Sequence, residues 1–272
     1  METSFLKSAL IVEPREHPAS LTVLKNIRAN IPPEAPIVWF HGTQNREFAQ
    51  HVSKQIENVM LREIPVSNFD NAQEYSGFML NPNLYKELRH YAKREPNSKV
   101  LVFQTDSGFC HVDNDNFAEY MRSAEHIDYA GAPGRNHFNG GFSLRDIDSM
   151  IKLTTNVDDL PNDSGLWDSG FWVDDVQKTR KPAEDRVLSS GCQNKEWCKL
   201  ATKEEAEELS CCAVNRKHSS NWNSMAFHGH PHHFAGGPAA PFKSMDELYK
   251  ACPESKTILN LIMWVFIDTN RK

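Results

Sequence analysis

The sequence has no excess of positive charge, and this excludes one broad class of function. Its 30 lysine and arginine residues are outnumbered by 36 aspartate and glutamate residues, which leaves a formal net charge of -6. A protein that binds duplex nucleic acid through its phosphates needs a basic surface. We therefore expect no nucleic-acid partner.

Long hydrophobic runs are also missing, and the mean hydropathy is -0.57. The most apolar stretch, Ile258 to Ile267, is about half as long as the ~20 residues that a membrane-spanning helix needs. We interpret it as a buried terminal helix or strand, and we expect no transmembrane segment. Only Met1 to Lys7 precede the apolar run 9–12, so no signal peptide is visible and a cytoplasmic location is predicted. A location in the Golgi lumen is the alternative if an N-terminal anchor has been trimmed.

Cysteine is scarce, with six residues between Cys110 and Cys252. Their spacing fits neither a disulfide scaffold nor a zinc ribbon built from paired Cys-x-x-Cys motifs. We expect buried free thiols. The alternative, in an oxidising compartment, is some pairing among Cys192, Cys198, Cys211 and Cys212.

The first half of the 272-residue chain alternates short apolar runs with segments of helical periodicity. This alternation is typical of βα units around a mainly parallel sheet. It predicts strands at 9–12, 37–40, 59–64 and 100–103, and helices at 21–31, from about 45, and at 81–95. From about residue 155 the periodicity weakens, and Asp, Gly, Pro, Asn and His become frequent. We predict a single α/β domain, a mainly parallel central sheet flanked by helices, with a loop-rich C-terminal half.

Two segments after predicted strands carry residues with possible chemistry. Gln104-Thr105-Asp106-Ser107 follows the all-apolar run 100–103. Ligands of open α/β sheets bind beyond the carboxyl ends of strands, although an acid at such a place can also cap a turn. The second segment, Asn139-Gly140-Gly141, contains paired glycines, which either let a ligand approach the backbone closely or form a tight turn.

Two further segments lie later in the chain. The adjacent acids Glu184 and Asp185 stand just inside a segment that begins with a proline. They either cap a helix, whose N-terminus favours negative charge, or include a positioned base. Four histidines lie between His228 and His233, and they form either a metal site or a surface loop without a ligand.

Together and in this order, the four segments resemble nucleotide-sugar glycosyltransferases of the GT-A fold. The likeness is greatest to a small family with an opening strand like 9–15, a "QTDS" after a central strand, an "NGGxSLR", an "ED" and a late histidine. It covers roughly residues 8–232. The resemblance implies a Rossmann-like GT-A fold and one catalytic domain over 1–272, with a nucleotide-binding half at 1–135 and an acceptor-binding half at 136–272.

The resemblance further implies a hexosyl- or pentosyltransferase that moves a sugar from a nucleoside-diphosphate sugar to a hydroxyl acceptor, such as a glycan. The reaction is expected to proceed with inversion and to need Mn²⁺ or Mg²⁺. Asp106 matches the last acid of a metal-binding motif that usually reads Asp-x-Asp, and Gln104 takes the place of the first acid. A late histidine, His228 or His230, completes the implied metal site.

The remaining roles are also carried over from the family. Asp185 matches the catalytic base, with Glu184 beside it. Glu13 and Arg15 lie in the loop that holds the nucleoside. The other residues expected to bind the donor are Gln104, Thr105, Asp106, Ser107, Asn139, Gly140 and Gly141.

Two other classes of function stay open. In a metal-dependent hydrolase, Asp106 and the histidines would bind metal ions that activate water. A non-catalytic nucleotide- or carbohydrate-binding module would have kept the fold while losing the first acid of the metal motif at Gln104.

Overall fold

The computed structural model describes residues 5–69, 71–92, 95–110, 114–133, 138–155, 184–212, 224–229, 246, 249–250 and 252–269. Its strands are β1 Leu6–Val12, β2 Ile37–His41, β3 Val59–Glu63, β4 Lys99–Phe103, β5 Ser107–Phe109, β6 Tyr129–Pro133, β7 Phe138–Asp146, β8 Ser210–Cys212 and β9 Ala226–His228. Its helices are α1 Ser20–Asn30, α2 Arg46–Ser53, α3 Ala72–Met79, α4 Pro82–Tyr91, α5 Asn114–Ser123, α6 Ile147–Thr155, α7 Glu184–Gln193, α8 Lys203–Leu209 and α9 Pro253–Thr269, with a 3₁₀ turn at Ala124–His126.

A six-stranded sheet in the order β3-β2-β1-β4-β7-β6 forms the centre of the fold. The first four strands in this order are parallel, and β7 runs antiparallel to both of its neighbours. Strands β1, β2 and β4 are buried along nearly their whole length, as expected for apolar strands that are covered on both faces. The predicted α/β class with a mainly parallel sheet is confirmed.

The predicted elements of the first half are present with small changes in their ends. Strand β1 begins three residues earlier than predicted, and α4 ends at Tyr91. Helix α3 was not predicted. Asn71 caps its first turn, since the Asn71 side chain accepts a hydrogen bond from the backbone N–H of Glu74 at 3.0 Å. The predicted loop-rich half lies largely outside the described residues.

A second, three-stranded sheet in the order β5-β9-β8 brings two distant parts of the chain together. Strands β5 and β9 are antiparallel, with Ser107 opposite His228. The amide of Asn26 in α1 fixes β5, since it accepts from the N–H of Phe109 at 2.8 Å and donates to its carbonyl at 3.1 Å. This small sheet places the segment after β4 beside the first of the late histidines.

The apolar terminal segment is a helix, α9, with Ile258, Leu259 and Ile262 buried. Of the two predicted alternatives, helix or strand, the helix is therefore correct. Within the described part of the chain, no helix has the length and apolar character that crossing a membrane requires.

The cysteine prediction is wrong for four residues. Cys110 is joined to Cys252, and Cys192 to Cys198. The pair Cys192–Cys198 falls within the alternative given for an oxidising compartment. The pair Cys110–Cys252, whose members are 142 positions apart, does not. They meet because α9 packs against β5, which puts the residue before the helix next to the residue after the strand.

Candidate active site

The carboxylate of Asp106 and the imidazole of His228 lie next to each other at the end of β4. His228 Nε2 is 3.4 Å from Asp106 Oδ1 and 3.0 Å from Gln104 Oε1. The backbone holds the two segments together, because the N–H of Gly229 donates to the carbonyl of Asp106 at 3.0 Å. Three of the predicted metal and donor residues, 124 positions apart at their extremes, thus meet at one point.

Gly141 makes room for the imidazole of His228. A Cβ atom at position 141 would lie 2.0 Å from His228 Nε2, far inside contact distance. The backbone here is held by Asn139, whose side-chain oxygen accepts from the N–H of Gly141 at 2.8 Å. The predicted glycine segment therefore contacts His228, one of the predicted metal ligands. The close approach of the backbone to this side chain explains why glycine stands at position 141.

The variant Gly141→Ala is expected to weaken binding of Mn²⁺ together with a nucleoside diphosphate by about 10- to 100-fold, the usual effect of displacing a residue that orients a metal ligand. The added methyl group pushes the imidazole of His228 away from Asp106. The protein is expected to stay folded, because only the side chain of His228 has to move. Calorimetric titration with Mn²⁺ and GDP or UDP checks the affinity. Gly77→Ala is the matched control, since a Cβ at Gly77 meets nothing within 4 Å; equal affinity in Gly141→Ala and Gly77→Ala would contradict the role of Gly141.

The turn after β4 is built by its own side chains. The hydroxyl of Ser107 donates to the carbonyl of Gln104 at 2.8 Å and accepts from the N–H of Gln104 at 3.1 Å. Thr105 is buried, with its hydroxyl 3.5 Å from a carboxylate oxygen of Glu13. Of this predicted donor-binding segment, Ser107 and Thr105 shape the turn, and Gln104 and Asp106 face His228.

Glu13 and Arg15 form a bidentate ion pair after β1. Arg15 Nε and Nη2 each donate to a carboxylate oxygen of Glu13 at 2.8 Å, and the backbone N–H of Arg15 donates to the same carboxylate at 3.0 Å. The bond to Glu13 raises the pKa of Arg15, burial lowers it, and the negative charges of Glu13 and Asp106 raise it again. Glu13 is buried and holds Arg15, whose guanidinium is half exposed and lies within the electrostatic reach of Asp106.

Asn45 stands at the start of α2, where the sequence predicts a helix to begin, but its side chain bonds to the loops that follow β1 and β2. It accepts from the N–H of Gly42 at 2.8 Å, and it donates to the carbonyls of Glu13 and Arg15 at 3.1 and 2.8 Å. It makes no capping bond to the helix. The residue therefore ties the ends of β1 and β2 together and fixes the loop that carries Arg15.

Glu184 and Asp185 begin α7, as their position after a proline suggested. Glu184 is buried, and its Oε1 is 3.0 Å from Nη2 of Arg145 in β7. The backbone of Asp185 lies in the first turn of the same helix. His230, the alternative metal ligand, and His232 and His233 lie outside the described residues.

The residues around His228 suit a hard divalent cation. Carboxylate, amide and imidazole groups, as supplied by Asp106, Gln104 and His228, are ligands that Mn²⁺ accepts. Over the described ranges, no three His, Cys, Asp or Glu side chains cluster as a ready metal site. The possible ligands among the described residues are thus one carboxylate, one amide and one imidazole.

The sequence did not predict that Arg145, Tyr75 and Tyr85 interact with one another and with Glu184. Burial raises the pKa of Tyr75, and the carboxylate of Glu184 raises it further, whereas a hydrogen bond with Gln104 lowers it. Tyr75 therefore interacts both with Glu184, the acid that begins α7, and with Gln104. The only signal in the sequence was the arginine of "NGGxSLR", which carried no assigned role.

Comparison with known proteins gives a family without an assigned activity. A family model with the description "Protein of unknown function (DUF5672)" matches residues 58–230, more than half of the chain. No curated protein matches the sequence.

Several solved structures have a similar architecture. Mouse xyloside xylosyltransferase 1, in its apo form, is 9% identical, with 83% of this chain and 98% of that chain covered and a TM-score of 0.47. The glycosyltransferase GlyE of Streptococcus pneumoniae TIGR4 is 12% identical, with 94% and 62% covered and a TM-score of 0.47. Core-mannan synthase A from Aspergillus fumigatus, in its Mn/GDP form, is 12% identical, with 58% and 65% covered and a TM-score of 0.35. At such low identity and TM-score, these likenesses describe a general similarity of architecture and nothing of activity.

Proposed function

The chain belongs to this DUF5672 family of proteins of unknown function, and we propose that it is a glycosyltransferase that moves a sugar from a nucleoside-diphosphate sugar to a hydroxyl acceptor. The observation that carries the proposal is the meeting of Asp106, Gln104 and His228 at the carboxyl end of β4, against the backbone of Gly141. This edge of the sheet is where α/β proteins bind their ligands. The motif resemblance assigns the same residues to the donor diphosphate.

The chemistry explains why a transferase needs these groups. When the glycosidic bond of the donor breaks, the bonding electron pair leaves with the nucleoside diphosphate, which gains negative charge. A divalent cation, Mn²⁺ or Mg²⁺, held by Asp106, His228 and Gln104 would stabilise that charge. Gln104 in place of an acid leaves one protein carboxylate in this group, so the cation is expected to bind well only with the diphosphate.

Arg15 supports the binding of an anion at the same place. A guanidinium offers five N–H donors in a plane that matches phosphate oxygens, and Glu13 accepts from two groups of that fork. The side chain of Arg15 is 54% exposed, and the negative charge of Asp106 raises its pKa. We propose that Arg15 contacts the diphosphate or the adjoining ribose, while Glu13 and Asn45 hold the arginine in place.

We further propose an inverting reaction with Asp185 as the general base. Asp185 would take the proton of the acceptor hydroxyl as that oxygen attacks the anomeric carbon of the donor. The acceptor then gains the sugar, the carboxylate carries the proton, and the nucleoside diphosphate departs. The burial of Glu184 and its ion pair with Arg145 favour Asp185 over Glu184 for this role.

Thermal unfolding with and without nucleotides tests the proposal. A ligand present at 100 times its Kd stabilises the folded state by about 2.7 kcal/mol, so GDP or UDP together with Mn²⁺ is expected to raise Tm, and Mn²⁺ alone is expected to raise it little. Release of nucleoside diphosphate from a panel of UDP- and GDP-sugars then reports turnover. A protein that is indifferent to every nucleotide would contradict the proposal, and tight nucleotide binding without turnover against a broad set of acceptors would identify a binding module.

The compartment is a separate proposal. Disulfides persist in oxidising environments and are rare in the cytosol, and the described residues include the pairs Cys110–Cys252 and Cys192–Cys198. We propose that the protein works in an oxidising compartment, in keeping with the Golgi alternative and against the cytoplasmic one.

A further inference from the structure

One arginine is buried in the core beside the candidate site. Arg145, in β7, has an exposure of 0%. Its Nη2 donates to the carbonyl of Gly140 at 3.1 Å and to Glu184 Oε1 at 3.0 Å. Its Nε donates to the hydroxyl of Ser143 at 2.9 Å, and its Nη1 to the hydroxyl of Tyr85 at 2.8 Å. The guanidinium therefore joins the glycine segment of the site to the acid that begins α7.

Stability alone does not account for this arrangement. Burying two opposite charges costs much of their hydration, and apolar residues of similar size often replace a buried ion pair with no loss of stability. A leucine or methionine core would therefore hold β7 and α7 together as firmly. What the ion pair adds is direction, because a guanidinium and a carboxylate bind each other and their neighbours in a fixed geometry.

Two of the four partners of Arg145 adjoin residues of the proposed site. Gly140 precedes Gly141, which contacts the imidazole of His228. Glu184 precedes Asp185, and its own N–H donates to the hydroxyl of Ser76 in α3 at 3.3 Å. One connection from the Asp106 segment to α7 therefore runs through His228, the glycine pair and Arg145.

A second contact joins β7 to α7 further along the helix. The N–H of Phe138 donates to the hydroxyl of Ser189 at 3.0 Å. With Arg145 and Glu184 at the first turn and Ser189 in the next, the helix is fixed against β7 at two points. Because a helix is a rigid element, two fixed points also fix the rotation of α7 about its axis.

We propose that Arg145 and Glu184 are positioning residues, which hold the first turn of α7, and with it Asp185, in register with the Gly140–Gly141 side of the cleft. The inference rests on the proposed function, since it supposes that Asp185 is the base. It assigns Glu184 a role other than catalysis and gives the arginine of the "NGGxSLR" segment a function. A misplacement of about 1 Å can lower turnover by roughly 100-fold, which is the effect that such a device prevents.

The double variant Arg145→Met/Glu184→Leu separates positioning from stability. It removes both charges, and the carbonyl of Gly140 keeps the bond that the hydroxyl of Ser143 donates at 2.9 Å. We therefore expect a Tm lowered only by the loss of the bond to the hydroxyl of Tyr85, and unchanged binding of GDP or UDP with Mn²⁺. Turnover of UDP- or GDP-sugars is expected to fall at least ~10-fold with the donor KM unchanged, as a misplaced base requires. The matched control is Arg62→Met/Glu87→Leu, a part-exposed ion pair between β3 and α4, which is expected to leave turnover unchanged.

Glu184→Gln keeps the inference testable if the double variant folds poorly. The amide retains an oxygen that accepts from Arg145, so this variant is expected to fold and to show a smaller loss of turnover, again without loss of nucleotide binding. Wild-type turnover in either variant would overturn the inference, and so would a parallel loss of Tm, nucleotide binding and turnover, because that pattern marks a purely structural pair.

Hydrogen exchange distinguishes failure of this inference from failure of the proposed function. Amides at 188–193, which donate to carbonyls of the preceding turn of α7, are expected to exchange faster in both variants, while those of β1 and β4 keep wild-type rates. Faster exchange at 188–193 in a protein that turns over no nucleotide sugar would contradict the proposed function and leave the anchoring of α7 in place. Unchanged exchange at 188–193 would overturn the anchoring itself.

Discussion

Asp106→Ala is expected to lower the affinity for Mn²⁺ with a nucleoside diphosphate by more than about 100-fold. Loss of a residue that only orients a metal ligand lowers metal affinity by about 10- to 100-fold, and loss of the ligand itself is expected to cost more. The variant removes the carboxylate that lies 3.4 Å from His228 Nε2. The fold should survive, because the bond from the N–H of Gly229 ends on the backbone carbonyl of Asp106, which alanine retains. The side chain itself is only partly buried.

Calorimetric titration with Mn²⁺ and GDP or UDP, together with Tm in the absence of ligand, checks this expectation. Asp148→Ala is the matched control, since Asp148 lies beyond the opposite edge of the sheet, at the start of α6, and pairs with Arg89. A Tm near the wild-type value combined with lost binding is the expected result. Wild-type affinity in Asp106→Ala would remove this residue from the cation site.

Asp185→Asn is expected to lower turnover by about 10²- to 10⁴-fold, the contribution of a general base. Asparagine has the same shape as aspartate but takes up no proton, so nucleotide binding and the donor KM should stay unchanged. The effect should be larger than that of Glu184→Gln, because Glu184 acts through position and Asp185 through proton transfer. This order of effects separates the two adjacent acids.

Steady-state kinetics with a nucleotide sugar and its acceptor check the base assignment, with Asp148→Asn as the control for a loss of negative charge. Equal turnover in Asp185→Asn and the wild type would mean that another group takes the proton. A rise of the donor KM with unchanged kcat would instead place Asp185 in substrate binding.

The four parallel strands of the central sheet were predictable from their apolar runs. Val100 to Phe103 is apolar at every position, as a strand covered on both faces requires. Strand β7 was not predicted, because it contains Gly140, Gly141 and the buried Arg145 and reads as a polar loop. Strands of three residues, such as β5 and β9, are too short to show any periodicity.

The site was predictable to the level of its motifs but not of its contacts. The position of Asp106 follows from the rule that ligands gather at the carboxyl ends of strands, and His228 came from the resemblance. The fit of Gly141 against an imidazole, the bond between Arg145 and Glu184, and the pairing of Cys110 with Cys252 depend on chain segments far apart in sequence. Spacing along the chain carries no record of such contacts, and a buried arginine looks like a surface residue.

The central claim is that Asp106 and His228 hold a cation together with a nucleoside diphosphate. Crystals grown with Mn²⁺ and GDP or UDP, measured on both sides of the manganese absorption edge, test it most directly. We expect one anomalous peak within coordination distance of the side chains of Asp106 and His228 and of the diphosphate. A nucleotide bound at this edge of the sheet without such a peak, or a peak remote from both residues, would contradict it.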